Sequence, residues 1–464
     1  MHYHFCRHNA LKVTQNSGLR QAKGFSLATQ KLNFFIATLL NPQNDKRCDF
    51  YAHGLLVTEG RGAASRIKDI LSLENGVKKY GPLMTKSNTK DFGHSVIMPG
   101  FFDMHFHWVQ DDVREMPKDS LLEWLEKYTF PAEMKFKNKS YAQKKAKDFF
   151  SKLTKHGTVG GACYSSIHEH AVDAAIKKAQ GHFVIGNVIM NMNSPKDLTQ
   201  TEVASLELTE RLIKKHGKKH CFTPRFAITT TPTVMKKGSQ MADKAGCFKQ
   251  THLSETPQEI EFVLSIYKKI PGFEKVSSYT DIYEKTGMLG KRSLMGHGIH
   301  LSPKELATLR RTKTSIIHCP TSNAPIREKG LGSGLFNFKK VEKAEVRWAL
   351  GSDIGGGPFL SMFDVMRSFV AQNIKAGIPG GTFVKALYRS TLAGAELMDI
   401  HKALGNLNKG KEATFIVVPL PGHKMPLDSE DLLKRLVGAH KNKREEYSEL
   451  VSEVYLQGQR INCL

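Results

Sequence analysis

The segment Pro99-Gly-Phe-Phe-Asp103-Met-His105-Phe-His107 sets two histidines two residues apart. Alternate side chains of a strand share one side, so His105 and His107 aim two imidazoles at one point. Three more segments end apolar runs on groups of the same kind: His252-Leu-Ser-Glu255, Met295-Gly-His297-Gly and Gly351-Ser-Asp353. His105, His107, His252 and Asp353 form a candidate metal-ligand set. Three imidazoles and a carboxylate suit Zn2+ and tolerate Fe2+. Such a metal lowers the pKa of water towards about 7. Asp353 would then accept a proton from that water. Glu255, just past His252, stands within reach of anything bound there. His297 would polarise the leaving group or the attacking water. With 20 histidines in the chain, any one of them alone reads as a core or surface residue. Joint placement is what separates this set from chance.

That placement comes from the elements around it. From about residue 97 the chain alternates short apolar runs with long amphipathic stretches, the pattern of βα units around a parallel sheet. Eight strands are expected: Ile97–His107, Thr158–Ser165, Phe183–Met190, Phe222–Ile228, Phe248–Glu255, Ser293–His300, Ser315–Asn323 and Arg347–Ile354. The candidate groups end the first, fifth, sixth and eighth. A (β/α)8 TIM-type barrel places its active site at that end. The flanks Leu32–Leu40, Tyr51–Glu59, Ala413–Val418 and 454–461 read as short strands. They are expected to pack together as a small β-sandwich domain made from both chain ends. The resulting division is 1–30 as a basic extension, 31–96 with 405–464 as the β-domain, and 97–404 as the catalytic barrel.

Composition narrows the class. Hydrophobic residues make up 40% and charged residues 24% of the 464, ordinary for a globular chain. No apolar run approaches the ~20 residues of a membrane span. The seven cysteines include no C-x-x-C pair, which argues against a disulfide framework or thiolate metal site and points to the cytoplasm. The net charge is +24. Its lysines sit in amphipathic stretches without aromatic interleaving, so they read as solvated faces, and nucleic acid is not an expected partner. Residues 1–30 hold no acidic residue. A disordered basic tail or an upstream start codon is preferred to an organelle transit peptide for this stretch.

The ordered set P-G-x-x-D-x-H-x-H, then H, H and S-D, resembles the amidohydrolase superfamily. Binuclear members carry a lysine on strand four. Here that strand reads Thr223-Pro-Arg225-Phe226, so the resemblance implies the mononuclear branch, with one zinc per chain. The stretch Leu121-Leu-Glu-Trp124-Leu-Glu-Lys-Tyr-Thr-Phe130-Pro-Ala-Glu133, with Ala162-Cys-Tyr164 and His318-Cys-Pro-Thr-Ser-Asn323, is similar to the guanine deaminase family. The resemblance implies hydrolysis of guanine to xanthine and ammonia, a step of purine breakdown or salvage, by a homodimer. It implies zinc on His105, His107, His252 and Asp353, and purine contacts from Gln110, Arg225, Phe226 and His252. Glu255 would shuttle protons and His297 would assist the water. Read from the residues alone, Gln110 caps a loop, Arg225 pairs with an acid such as Glu133, and Phe226 is core. Trp124 and Phe130 form either a lid or core. Asp103 is structural, and His318, Cys319 and Asn323 shape the strand-seven end without chemistry. Trp108, Val109, Pro358 and Phe359 are bulky and are expected to border the pocket. Two other readings stay open: an aminohydrolase for another purine, a pterin or a triazine, and a catalytically silent barrel used as a scaffold.

Overall fold

The computed structural model describes residues 31–462 except 119, 423 and 439–449. The basic extension expected at 1–30 lies outside the described residues. Among them, no helix is long and apolar enough to cross a membrane.

Eight strands form one sheet: β5 (Phe101–His107), β6 (Thr158–Ser165), β7 (His182–Ile189), β8 (Cys221–Pro224), β9 (Phe248–Leu253), β10 (Ser293–His297), β11 (Ser315–His318) and β12 (Trp348–Leu350), in sequential order. Each neighbouring pair is parallel. Parallel neighbours need crossovers, and helices such as Lys139–Lys155 and Glu202–His216 supply them. Past β12 the chain meets β5 again, where Asp353 N–H donates to His105 O at 2.7 Å. That contact joins first strand to last and closes the barrel. A close approach inside it demands glycine: at Gly161, φ is +149°, and a Cβ there would lie 1.7 Å from Asp103 O.

The second sheet uses both chain ends. Before the barrel come β1 (Leu32–Pro42), β2 (Cys48–Glu59), β3 (Arg66–Ser72) and β4 (Thr89–Pro99); after it come β13 (Phe415–Pro419), β14 (Glu453–Leu456) and β15 (Gln459–Arg460). The order is β15-β14-β13-β4-β1-β2-β3. β1 shifts register against β2 between Ala37 and Leu39, and against β4 between Ile36 and Thr38. Such irregularities bend a sheet, and Phe35 then packs edge-on to Phe415 at 5.2 Å and to Tyr455 at 5.4 Å. The outcome is a small sandwich-like layer beside the barrel.

Several strand expectations need correction: Ser315–Asn323 is strand only to His318 with Pro320–Asn323 helical, and Arg347–Ile354 is strand only over Trp348–Leu350. Ile97–His107 is not one strand. β4 ends at Pro99 in the outer sheet and β5 begins at Phe101 in the barrel, with Gly100 between them. A Cβ on Gly100 would lie 2.6 Å from Val159 Cγ2, so the crossing from sheet to sheet is made where no side chain intrudes. The strand expected over Phe222–Ile228 stops at Pro224. Proline has no N–H to continue the ladder, and Arg225 and Phe226 leave the sheet towards the barrel mouth.

The two chain ends are also joined by side chains. Asn41 is buried; its Oδ1 accepts from Leu407 N at 2.7 Å and its Nδ2 donates to Asn408 Oδ1 at 2.9 Å. Asn41→Ala strands the Leu407 N–H and is expected to cost about 1–3 kcal/mol, read as a lower melting temperature. An unchanged melt would show that this seam does not hold the ends together.

Candidate metal and catalytic centre

His105 and His107 leave the end of β5 on one side, and β9 and the turn after β12 bring His252 and Asp353 against them. His105 Nε2 lies 3.3 Å from Asp353 Oδ1, His107 Nε2 lies 3.5 Å from the same oxygen, and His107 Nε2 lies 3.1 Å from His252 Nε2. His252 Nδ1 sits 2.6 Å from Arg225 O, an acceptor only, so it carries the proton and Nε2 keeps its lone pair. His105 Nε2 is buried without a hydrogen-bond partner.

These contacts fit a metal. Four ligands about 2.0–2.1 Å from a tetrahedral ion stand about 3.3–3.4 Å apart, close to the spacing found. Burial pushes His105, His107 and His252 below the ordinary histidine range, which favours the neutral, ligating form. His297 also offers a donor within 4.8 Å of those of His105, His252 and Asp353. It stands further out, with Nε2 at 3.9 Å from Asp353 Oδ2.

The backbone aims these groups. His297 (φ +70°) and Asp353 (φ +50°) are left-handed, a conformation rare outside glycine that collects at functional sites. Beneath them, Asp103 Oδ1 accepts from Ser352 N at 2.9 Å, tying β5 to the strand-eight turn. Asp103 is therefore a support for the ligands. Gly296 faces the His105 ring, where its Cβ would lie 2.5 Å from Cε1, and Gly351 faces the His105 backbone N and Cβ, each 2.9 Å from where its own Cβ would lie.

Glu255 stands beside this set. Ser333 Oγ donates to its Oε1 at 3.0 Å and Asn323 Nδ2 at 3.2 Å. The same Asn323 Nδ2 lies 3.2 Å from His297 Nδ1. Because that nitrogen donates, His297 Nδ1 accepts, and the ring proton sits on Nε2, 3.4 Å from Glu255 Oε2. Burial, then the charge of Asp353, pushes Glu255 up to about 8. Burial also acts to raise Asp353. The neighbouring imidazoles of His105, His297 and His107 outweigh it and hold Asp353 well below the usual carboxylate range. Two buried carboxyls are driven apart, one protonated and one ionised at neutral pH.

A recess opens above them. Gln110, Arg225, Phe226, Trp124 and Leu331 line it together with His107, His252, Glu255, His297 and Asp353. Trp124 thus belongs to the wall, whereas Phe130 packs under the Arg225 guanidinium at 5.3 Å. The reading of Asn323 as chemically idle is corrected by its contacts to Glu255 and His297. Trp108 and Val109 do not border the recess; they pack outward with Phe136 and Phe149, and Trp108 Nε1 donates to Ser165 Oγ at 3.0 Å. The turn Trp108–Val113 directs them there. Ser333, Leu331 and Glu259 were not singled out from the sequence. Ser333 and Leu331 arrive from a loop that no local spacing marks, whereas Glu259 completes the Thr256-x-x-Glu259 capping-box spacing. Glu259 is the third residue of the helix after Thr256, caps it, and accepts from Glu255 N at 2.8 Å.

The amidohydrolase family profile matches residues 96–449. A guanine deaminase of Escherichia coli K12 is 33% identical over 337 residues, 71% of this chain and 74% of that one. One from Dictyostelium discoideum is 28% identical over 465 residues, 94% and 99% of the two chains. The crystal structure of guanine deaminase from C. acetobutylicum, with bound guanine in the active site, superposes with a TM-score of 0.79 at 26% identity, covering 93% of this chain and 100% of that one.

Gly296→Ala is expected to displace the His105 ring and leave most of the protein without metal, while the fold persists; full occupancy by elemental analysis would contradict this. Burial, then the charge of Glu255, also pushes Glu259 up to about 7. A carboxyl raised in the folded state binds protons that the unfolded chain has already released, so its stabilisation is lost as pH rises. Between about pH 7.5 and 8.5, a unit or more above the ordinary histidine pKa of about 6.5, the site histidines are almost wholly neutral in both states. The melting temperature of the metal-free protein is therefore expected to fall across that window, and Glu255→Gln to flatten the fall. A flat wild-type profile would count against the buried carboxyls.

Proposed function

The chain belongs to the amidohydrolase family, on its guanine deaminase branch, and we propose that it hydrolyses guanine to xanthine and ammonia. The observation that carries this reading is a recess lined by His107, His252 and Asp353 of the candidate donor set, by the buried carboxyl of Glu255 and by the pair Gln110 and Arg225.

In this reading His105, His107, His252 and Asp353 hold one zinc ion, the natural match to an imidazole-rich tetrahedral set. Zinc there supplies Lewis acidity, bringing water's pKa to about 7. Phe226 covers the purine face, and Gln110 and Arg225 bind its edge; Arg offers a planar fork of donors. His252 borders the bound base. Asp353, ionised, takes the proton of the water that attacks C2. Glu255, protonated, delivers its proton to the ring nitrogen next to C2. His297 keeps its Nε2 proton on the side of Glu255 and steadies the charge that develops. The C2–N bond then breaks, the amine leaves with a second proton as ammonia, and xanthine remains. Leu121, Trp124, Leu125 and Leu331 limit water in the recess, which strengthens each of these polar contacts.

A general acid is worth about 10²–10⁴ in rate. Glu255→Gln is expected to lower kcat for guanine by that factor with zinc content unchanged. The assay is ammonia release together with the guanine-to-xanthine absorbance change, on protein of known zinc content. Zinc-loaded wild type that releases no ammonia from guanine would sink the substrate, and an active Glu255→Gln would sink the proton route.

A further inference from the structure

The two side chains that bind the purine edge in this reading are both held by a residue that does not touch the recess. Glu133 is fully buried in the helix Phe130–Met134. Its Oε1 accepts from Gln110 Nε2 at 2.8 Å and from Arg225 Nη1 at 2.8 Å, and its Oε2 accepts from the same Nη1 at 2.8 Å. One carboxylate oxygen thus holds Gln110 and Arg225 side by side.

A carboxylate paired with a guanidinium accepts hydrogen bonds and has none to donate. The amide atom of Gln110 that faces it must be the nitrogen. A second contact agrees, because Gly355 N–H donates to Gln110 Oε1 at 3.3 Å. A flipped amide would set oxygen against carboxylate and nitrogen against N–H, losing both bonds. Gln110 therefore offers the recess a carbonyl oxygen, with a lone pair beyond the one that Gly355 uses. Glu133 engages Arg225 through Nη1 alone, which leaves Nη2 and Nε as the donors for a ligand. Phe130 beneath the guanidinium fixes its plane.

We propose that Glu133 is a positioning residue that sets the hydrogen-bond polarity of the substrate edge, and so selects 6-oxopurines over 6-aminopurines. By binding the amide nitrogen of Gln110 and Nη1 of Arg225, it leaves an acceptor beside a set of donors. That is the complement of a lactam edge, a ring N–H next to C=O. A 6-aminopurine reverses both partners: its amino group meets the arginine donors, and its ring-nitrogen lone pair meets the Gln110 oxygen. Sites built on buried hydrogen bonds reject mismatched partners strongly. This inference rests on the purine assignment made above.

The test compares binding of hypoxanthine and adenine, which both lack the 2-amino leaving group, to the zinc-loaded protein by calorimetry. Beside it, kcat and KM are measured for guanine and 2,6-diaminopurine. Wild type is expected to prefer the 6-oxo partner of each pair by about 100-fold or more. Glu133→Gln keeps the shape but can donate as well as accept, which frees Gln110 to flip. It is expected to lower that preference by about tenfold or more, raising guanine KM more than it lowers kcat, with zinc content unchanged. Gln110→Met removes the acceptor, keeps the Glu133–Arg225 pair, and is expected to lower the preference as well; it decides the matter if Glu133→Gln does not fold. Wild type that binds adenine as tightly as hypoxanthine would overturn the proposal. So would variants that keep the wild-type ratio within twofold. A wild type that fails on guanine overturns the deaminase reading instead, and the hypoxanthine-to-adenine ratio still decides the edge.

Discussion

Three imidazole nitrogens and one carboxylate oxygen crowd at contacts of 3.1–3.5 Å in the mouth of an apolar barrel. The rest of the structure can be understood as the means of holding that arrangement. Each ligand comes from a different strand end or from the same strand two residues on, so no local helix or loop could build it. Closure of the sheet between His105 O and Asp353 N brings the first and last strands into the same site. The Asp103–Ser352 bonds fix the two strands one layer below. Gly296 leaves the space into which the His105 ring fits, and Gly351 lets the strand-eight turn approach the His105 backbone.

The same crowding separates the titrating groups. Glu255 and Asp353 are both buried, and burial by itself raises both. The imidazoles beside Asp353 reverse the effect there and do nothing comparable for Glu255, whose close neighbour is Asp353 itself. Burial first, and the charge of Asp353 second, pushes Glu255 up. Two carboxyls of the same chemistry are thereby set apart by their environments. Asn323 supports the division from outside, since its single amide nitrogen touches both Glu255 Oε1 and His297 Nδ1.

The far wall of the recess follows a different logic. Its segment runs from Leu121 to Met134 and includes a π turn at Leu125–Thr129. A π turn widens the helix locally and is common near functional sites. Here it separates Leu121, Trp124 and Leu125, which face the recess, from Glu133, which faces Gln110 and Arg225. One short helical segment therefore supplies both apolar cover and polar alignment.

Much of this was legible in the sequence, and the reason is periodicity. A histidine pair two apart on a strand must share a side, and apolar runs ending in His252, His297 and Asp353 mark strand ends. Both features are local, so the barrel and the gathering of these side chains at its mouth could be read directly. Strand limits were less legible where one apolar run served two sheets, as at Pro99-Gly100-Phe101, because the change of sheet is a tertiary event. The partners of Glu255 and the turning of Trp108 away from the pocket were not legible at all. Asn323 lies 68 residues from Glu255 and Ser333 lies 78; no spacing rule spans such distances. The sequence alone could pose Glu133 only as one possible partner of Arg225. Folding decided that the same oxygen would also hold Gln110, because only the closed barrel brings a helix after strand one against the end of strand four.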